Sequence, residues 1–352
     1  MSRKIRVAAL VLLSLTLLCA MGGCKKKPAL VVKPPVETTE TVEVPPPPEP
    51  VLWPFTGLES ADASAVLNRP ISVKIENSAL ARPQMGLNHA DVIYETIAEG
   101  GITRFNLIFQ SDIPKEIGPV RSARLSDMWI VPQYGNGLFF YSGSNSQVSK
   151  RIKKHKLANL SHGKVGTAMY HRVSFRHAPH NLYLDLNKAY KTAKKKKFAV
   201  VEDATIPGLT FGESVHSSEV TATSVTIPFS ANFKMKWSWD AEKAVYKRST
   251  NGKKQTDAID KSRVTATNVV VLWAKYTKQG KKDPAGNGTY DINLGGEGKC
   301  AVFRDGKRID GTWKADRSAP PKFYDETSTE VTLNPGRTWF EVPPTDIKIK
   351  SK

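Results

Sequence analysis

The run DVIYETIAEGGITRFNLIFQ, Asp91 to Gln110, leaves the backbone few alternatives. DVIYETIA alternates, and ITRFNLIFQ is rich in β-branched and aromatic residues, so each half suits a strand. Gly100-Gly101 between them matches a two-residue turn, because glycine adopts positive φ without steric cost. Closure there predicts Glu99 opposite Ile102, Ile97 opposite Arg104, Glu95 opposite Asn106 and Tyr94 opposite Leu107. Opposed residues share a face. One face would carry Val92, Tyr94, Phe105, Leu107 and Phe109. The other would carry Glu95, Glu99, Arg104 and Asn106 among Ile93, Ile97, Ile102 and Ile108, a polar set on a partly covered surface. A slip of one residue would exchange the faces.

The next segment adds charge. Gly118-Pro119 marks a turn, and SARLSDMWIV then predicts a short helix ending before Pro132. Arg121 and Arg124 lie three apart near its start and would share a side. Cations there oppose the helix dipole at a cost of some tenths of a kcal/mol each. Either carboxylates of the chain (Asp127 or the hairpin glutamates) or a bound anion must hold them, and arginine forks suit phosphate or carboxylate.

The N-terminus indicates where the chain works. Ser2 to Arg6 is a basic n-region and Val7 to Ala20 an apolar h-region of secretory type, too short for a comfortable membrane span. Met21-Gly22-Gly23-Cys24 resembles the bacterial lipobox, which makes Cys24 the lipidated N-terminal residue after cleavage; Cys19 follows Leu18 and is a poorer acceptor. The expected location is the extracytoplasmic face of the cell membrane. Only Cys300 then remains in the body, so no internal disulfide forms, and its apolar neighbours predict a small buried residue. Residues 24–54 form a Pro-, Thr- and Glu-rich tether. In an extended conformation it would lift the body on the order of 80 Å from the bilayer.

About 290 residues follow, which suggests two domains. The boundaries expected are 55–212 for an α+β N-terminal domain, 213–346 for a strand-rich C-terminal domain, and 347–352 for a basic tail. The formal charge is +19. A secreted protein has little need of nucleic acid, so the surplus points to anionic envelope polymers or an envelope protein as partners.

In the N-terminal part, PISVKIEN reads as a strand ending at Asn77, and LFFYSGSN as another. Ser144 is expected to cap the basic helix that follows, with Gln147 completing a capping box. His171, Arg172, Arg176, His177, His180 and Asn181 form a second polar cluster. No HExxH or cysteine set accompanies it, so no metal is expected. His180 could instead orient an anion or act as a base. In the C-terminal part, SVTIPFS, FKMKWSWD, KAVYKRST, VTATNVVVLWAKY, TYDINL, GKCAVFRDGK and RTWFEV alternate with turns, as in a sandwich or partly closed barrel. Gly295-Gly296-Glu297-Gly298 precedes a strand rather than a helix, so it is no dinucleotide fingerprint and no cofactor is expected. Its tryptophans are mostly core, with one or two left to stack on sugar rings. Tyr246 and Arg248 alternate to one face and could join such a surface.

The blocks ARPQMGL (81–87), ADVIYE (90–95), EGGITRF (99–105), GPVRSAR (118–124), SGS (142–144) and APHN (178–181), with Asn77, resemble the signature of the YerB family of bacterial lipoproteins, which carry a domain of unknown function. The resemblance continues through WSWD (237–240), VYKRS (245–249), NVVVLWA (268–274), GEGKCAVFRDGKRIDGTW (296–313) and LNPGRTWFEV (333–342). Gln255, where the family pattern has His, is a departure. The resemblance implies envelope placement and a two-part architecture, and supplies no reaction.

Two readings follow. The preferred one is a non-enzymatic lipoprotein that binds an anionic envelope ligand or a wall-synthesis partner. Arg104, Arg121 and Arg124 supply charge, Asn106 and His180 give orientation, and His171, Arg172, Arg176 and Asn181 line the loop. The other is a cell-wall-active hydrolase or transferase using Glu95 and Glu99 as paired carboxylates with a histidine.

Overall fold

A computed structural model describes residues 49–195, 206–213, 216, 218–282, 286 and 288–352. The signal-peptide run, Cys24 and most of the tether lie outside the described residues.

Three strands organise the body: β1 (Ile71–Glu76), β2 (Val92–Ile97) and β3 (Thr103–Phe109). β3 pairs antiparallel with both others. β1 continues to the parallel strand Leu138–Phe140, and β2 to the parallel strand Thr338–Val342. Beyond the latter come Asn268–Leu272, Gly296–Arg304, Lys307–Ala315 and Lys322–Asp325, so both halves of the body build one eleven-stranded sheet. Most of the remaining C-terminal strands form a second, six-stranded sheet around Ser224–Ser230, Phe233–Asp240 and Val245–Thr250, while Lys275–Lys282 and Gly288–Asn293 pair as a separate two-stranded one. The protein is α+β, with a mixed N-terminal part and a strand-rich C-terminal part in layered sheets.

The register of the central hairpin differs from the sequence expectation by one residue. Ile97 stands opposite Thr103, Thr96 opposite Arg104, Glu95 opposite Phe105 and Tyr94 opposite Asn106. The loop is Glu99-Gly100-Gly101, closed by the Ala98 N–H on the Ile102 carbonyl at 2.8 Å, with φ of 63° and 71° at the two glycines. Consecutive left-handed residues satisfy a three-residue loop as well as a two-residue one, which is why Gly-Gly alone did not set the register.

The slip sorts the side chains cleanly. Ile93, Glu95, Phe105, Leu107, Trp339 and Glu341 take one face, which the second sheet covers with Met235, Trp237 and Arg248. Ser72, Lys74, Glu76, Tyr94, Arg104 and Asn106 take the other, covered near Tyr94 by Phe55 and Tyr134.

Two helix expectations also change. The helix after the arginines is Asp127–Gln133, which runs through Pro132 rather than ending before it. Residues 120–121 instead run beside β1, where Val120 bridges Ile75 and the Arg121 N–H reaches the Lys74 carbonyl at 2.8 Å, and the chain continues beside residues 142–143, the Ala123 N–H reaching the Gly143 carbonyl at 2.9 Å. The basic helix Ser146–Lys154 is capped by Asn145, whose side chain accepts the Val148 N–H at 2.9 Å, rather than by Ser144. Cys300 is buried and its thiol is pushed up to about 12 by burial, which leaves it chemically inert.

Candidate functional site

Arg104 leaves the end of β3 on the same face as Glu76, its cross-strand partner on β1. Arg121 and Arg124 reach this corner from the extended segment that follows. Glu99 enters from the hairpin loop and His180 from the loop before the strand Leu182–Asp185. Together Glu76, Ser78, Glu99, Arg104, Arg121 and His180 line a cleft of about 230 Å³, with Arg124 bonded to Glu99 beside it.

The charges are partly matched. Arg124 binds Glu99 through two guanidinium nitrogens, and Arg104 approaches the same carboxylate at 3.3 Å. Glu76 takes Arg121 at 3.4 Å, the His180 Nδ1 at 2.9 Å and the Ser78 hydroxyl at 2.8 Å. Three guanidiniums thus face two carboxylates. The arginine side chains keep 12, 22 and 14 % of their surface in the order 104, 121, 124, so solvent reaches each. Burial, and then repulsion from Arg124, bring Arg104 down to about 9. The Ser78 hydroxyl serves the carboxylate rather than the imidazole, so this is no nucleophile–base pair.

Beneath the cleft, Asp127 accepts Lys74 Nζ at 2.8 Å, Asn106 Nδ2 at 3.0 Å and the Arg124 N–H at 2.7 Å. Lys74 and Asp127 are fully buried. Asp127 therefore positions Arg124 through its backbone. Asn106 is a member of this buried network, bonded also to Ser72, and does not reach the cleft.

Other expected site residues go elsewhere. Glu95 is fully buried on the opposite face of the sheet, so the Glu95–Glu99 pair expected for catalysis does not exist. Its carboxylate accepts Asn77, Thr103 and Arg248. Arg248, also fully buried, lies 4.8 Å from the centre of the Trp339 ring, 5.3 Å from that of Phe105 and 5.7 Å from that of Trp237. Glu341, beside Glu95 in parallel register, accepts the Trp237 indole at 2.7 Å. Burial and then the charge of Glu95 push its carboxyl well above the usual range, so it is held neutral. Tyr246 and Arg248 are core residues and form no sugar-binding surface. His171 pairs with Glu116 at 2.7 Å, Arg172 with Asn181 at 2.6 Å, and Arg176 clasps the Leu80 and Pro83 carbonyls. These four shape the loop rather than line the cleft.

Glu76 was not among the residues expected at the site. The alternation Ser72, Lys74, Glu76 between Ile71, Val73 and Ile75 already marked a polar face on β1. Among the described residues no cluster of His, Cys, Asp and Glu has the arrangement of a metal site.

Fold and site together define an α+β protein of two sequence segments, locked by a shared sheet and carrying one basic, partly neutralised cleft. Two family models match, the "Protein of unknown function (DUF3048) N-terminal domain" over residues 55–199 and its C-terminal domain over 225–340, and the chain belongs to this family. It is 29% identical over 297 residues, 83% of this chain and 86% of the relative, to a Bacillus subtilis (strain 168) protein named "Putative lipoprotein YerB". The crystal structure of YerB from Bacillus subtilis matches with a TM-score of 0.72 at 27% identity, covering 85% of this chain and 99% of that one. Among the described residues no helix is long and apolar enough to cross a membrane.

Proposed function

We propose that this protein is a lipoprotein held by Cys24 on the extracytoplasmic face of the cell membrane, where its arginine cleft binds an anionic envelope ligand. The observation that carries the reading is the meeting of Arg104, Arg121, Arg124 and His180 around one open cleft with more cationic than anionic groups. An entering phosphate or carboxylate relieves the repulsion between Arg104 and Arg124 and gains charge-assisted hydrogen bonds. A wall polymer and an acidic segment of a wall-synthesis protein both offer that chemistry.

Arg121 is the guanidinium least committed to the fold, and each charged hydrogen bond contributes about 1.5–3 kcal/mol. Arg121→Ala is expected to weaken binding of a soluble phosphodiester polymer about tenfold or more while the denaturation midpoint stays near wild type. Unchanged affinity would remove the cleft from the reading. Burial lowers the Arg104 guanidinium from its ordinary value, and a bound anion favours its charged form.

A further inference from the structure

A second cleft, of about 390 Å³, opens beyond the end of the strand Asn268–Leu272, beside the part of Gly296–Arg304 that runs past it. This falls within the range of about 300–1,000 Å³ typical of small-ligand pockets. We propose that it is a carbohydrate subsite taking a sugar unit that bears a carboxylate or phosphate. The proposal is independent of the arginine cleft.

Trp273 lines the cleft and is only half-buried, unlike Trp237, Trp313 and Trp339. Its indole N–H is bonded to the Ile347 carbonyl at 2.7 Å, which fixes the ring before any ligand arrives. A preset ring loses little rotamer entropy on binding. Its flat face is apolar and suits the C–H face of a pyranose. Lys299 stands across from it, the Trp273 N–H reaching the Lys299 carbonyl at 3.1 Å. Lys275 and Lys299 are exposed and form no ion pair with any described residue, whereas Glu297 is turned toward Lys314 at 3.7 Å. Asn293 and Thr345, also exposed, supply neutral donors and acceptors for sugar hydroxyls. An aromatic wall beside two unmatched ammonium groups complements an acidic sugar better than a neutral one.

The test titrates the full chain by calorimetry and tryptophan fluorescence with a uronic-acid disaccharide, a sugar phosphate and the neutral disaccharide. At least one acidic probe is expected to bind, with the tighter of the two identifying the acid group, and the neutral sugar about tenfold or more weaker. Lys299→Glu, an exposed change, is expected to cost about tenfold, and Trp273→Ala at least as much. Trp273→Phe keeps an aromatic face and retains calorimetric binding while losing the fluorescence response. Arg121→Ala leaves this titration unchanged. Equal affinity for acidic and neutral sugars, wild-type affinity in Lys299→Glu, or no binding of either acidic probe would overturn the assignment.

Discussion

Arg248→Met is expected to destabilise the protein by about 3–5 kcal/mol, the usual cost of stripping one partner from a buried ion pair. The substitution leaves Glu95 fully buried without its cation, while neutral Glu341 offers only a hydrogen bond. It also removes a guanidinium packed among the rings of Phe105, Trp237 and Trp339. Urea denaturation checks the size of the loss. The double variant with Glu95→Gln is expected to recover much of it, because the uncompensated charge goes with its partner. Equal losses in the single and double variants would mean that packing, not charge, holds the two sheets together here. The pair joins β2 of the N-terminal segment to a strand of the C-terminal segment, so the family's two parts are expected to unfold in one transition.

Glu99→Gln is expected to act in the opposite sense on the two properties of the cleft. The fold loses an ion pair held between Arg104 and Arg124 and becomes less stable. The affinity for a phosphodiester polymer rises, since the internal anion no longer competes for those guanidiniums. Removing a like charge several Å from the bound anion is worth about 1–2 kcal/mol at the dielectric of a partly exposed site, or roughly tenfold in affinity. A purely structural Glu99 would give the stability loss without the gain in binding. Calorimetry on the same preparation, beside its denaturation curve, separates the outcomes.

Much of this was legible in the residues. The strands of both parts follow from alternation, and the meeting of Glu99 with Arg104 follows from their places on either side of one glycine turn. The register did not, because Gly100-Gly101 fits two loop lengths and only the tertiary partners decide between them. Glu95 changed faces for that reason, and with it went the paired-carboxylate chemistry. The arginine segment was read as helical because LSDMWIVP has a helical pattern. Pairing of Val120 with β1 overrode local propensity and delivered Arg121 and Arg124 to the cleft from an extended chain. Arg248 looked like surface because arginine is seldom fully buried. Its partner lies 153 positions away on another strand, a relation no local pattern records.

Anion binding by the arginine cleft is tested by retention of the full-length protein on purified cell-wall fractions as salt is raised. Binding by the arginine cleft is screened as the Debye length shrinks from about 10 Å at 0.1 M to about 3 Å at 1 M. Wild-type protein is therefore expected to elute as salt rises, and Arg121→Ala to elute earlier. Retention that high salt leaves intact, with Arg121→Ala eluting alongside wild type, would contradict it.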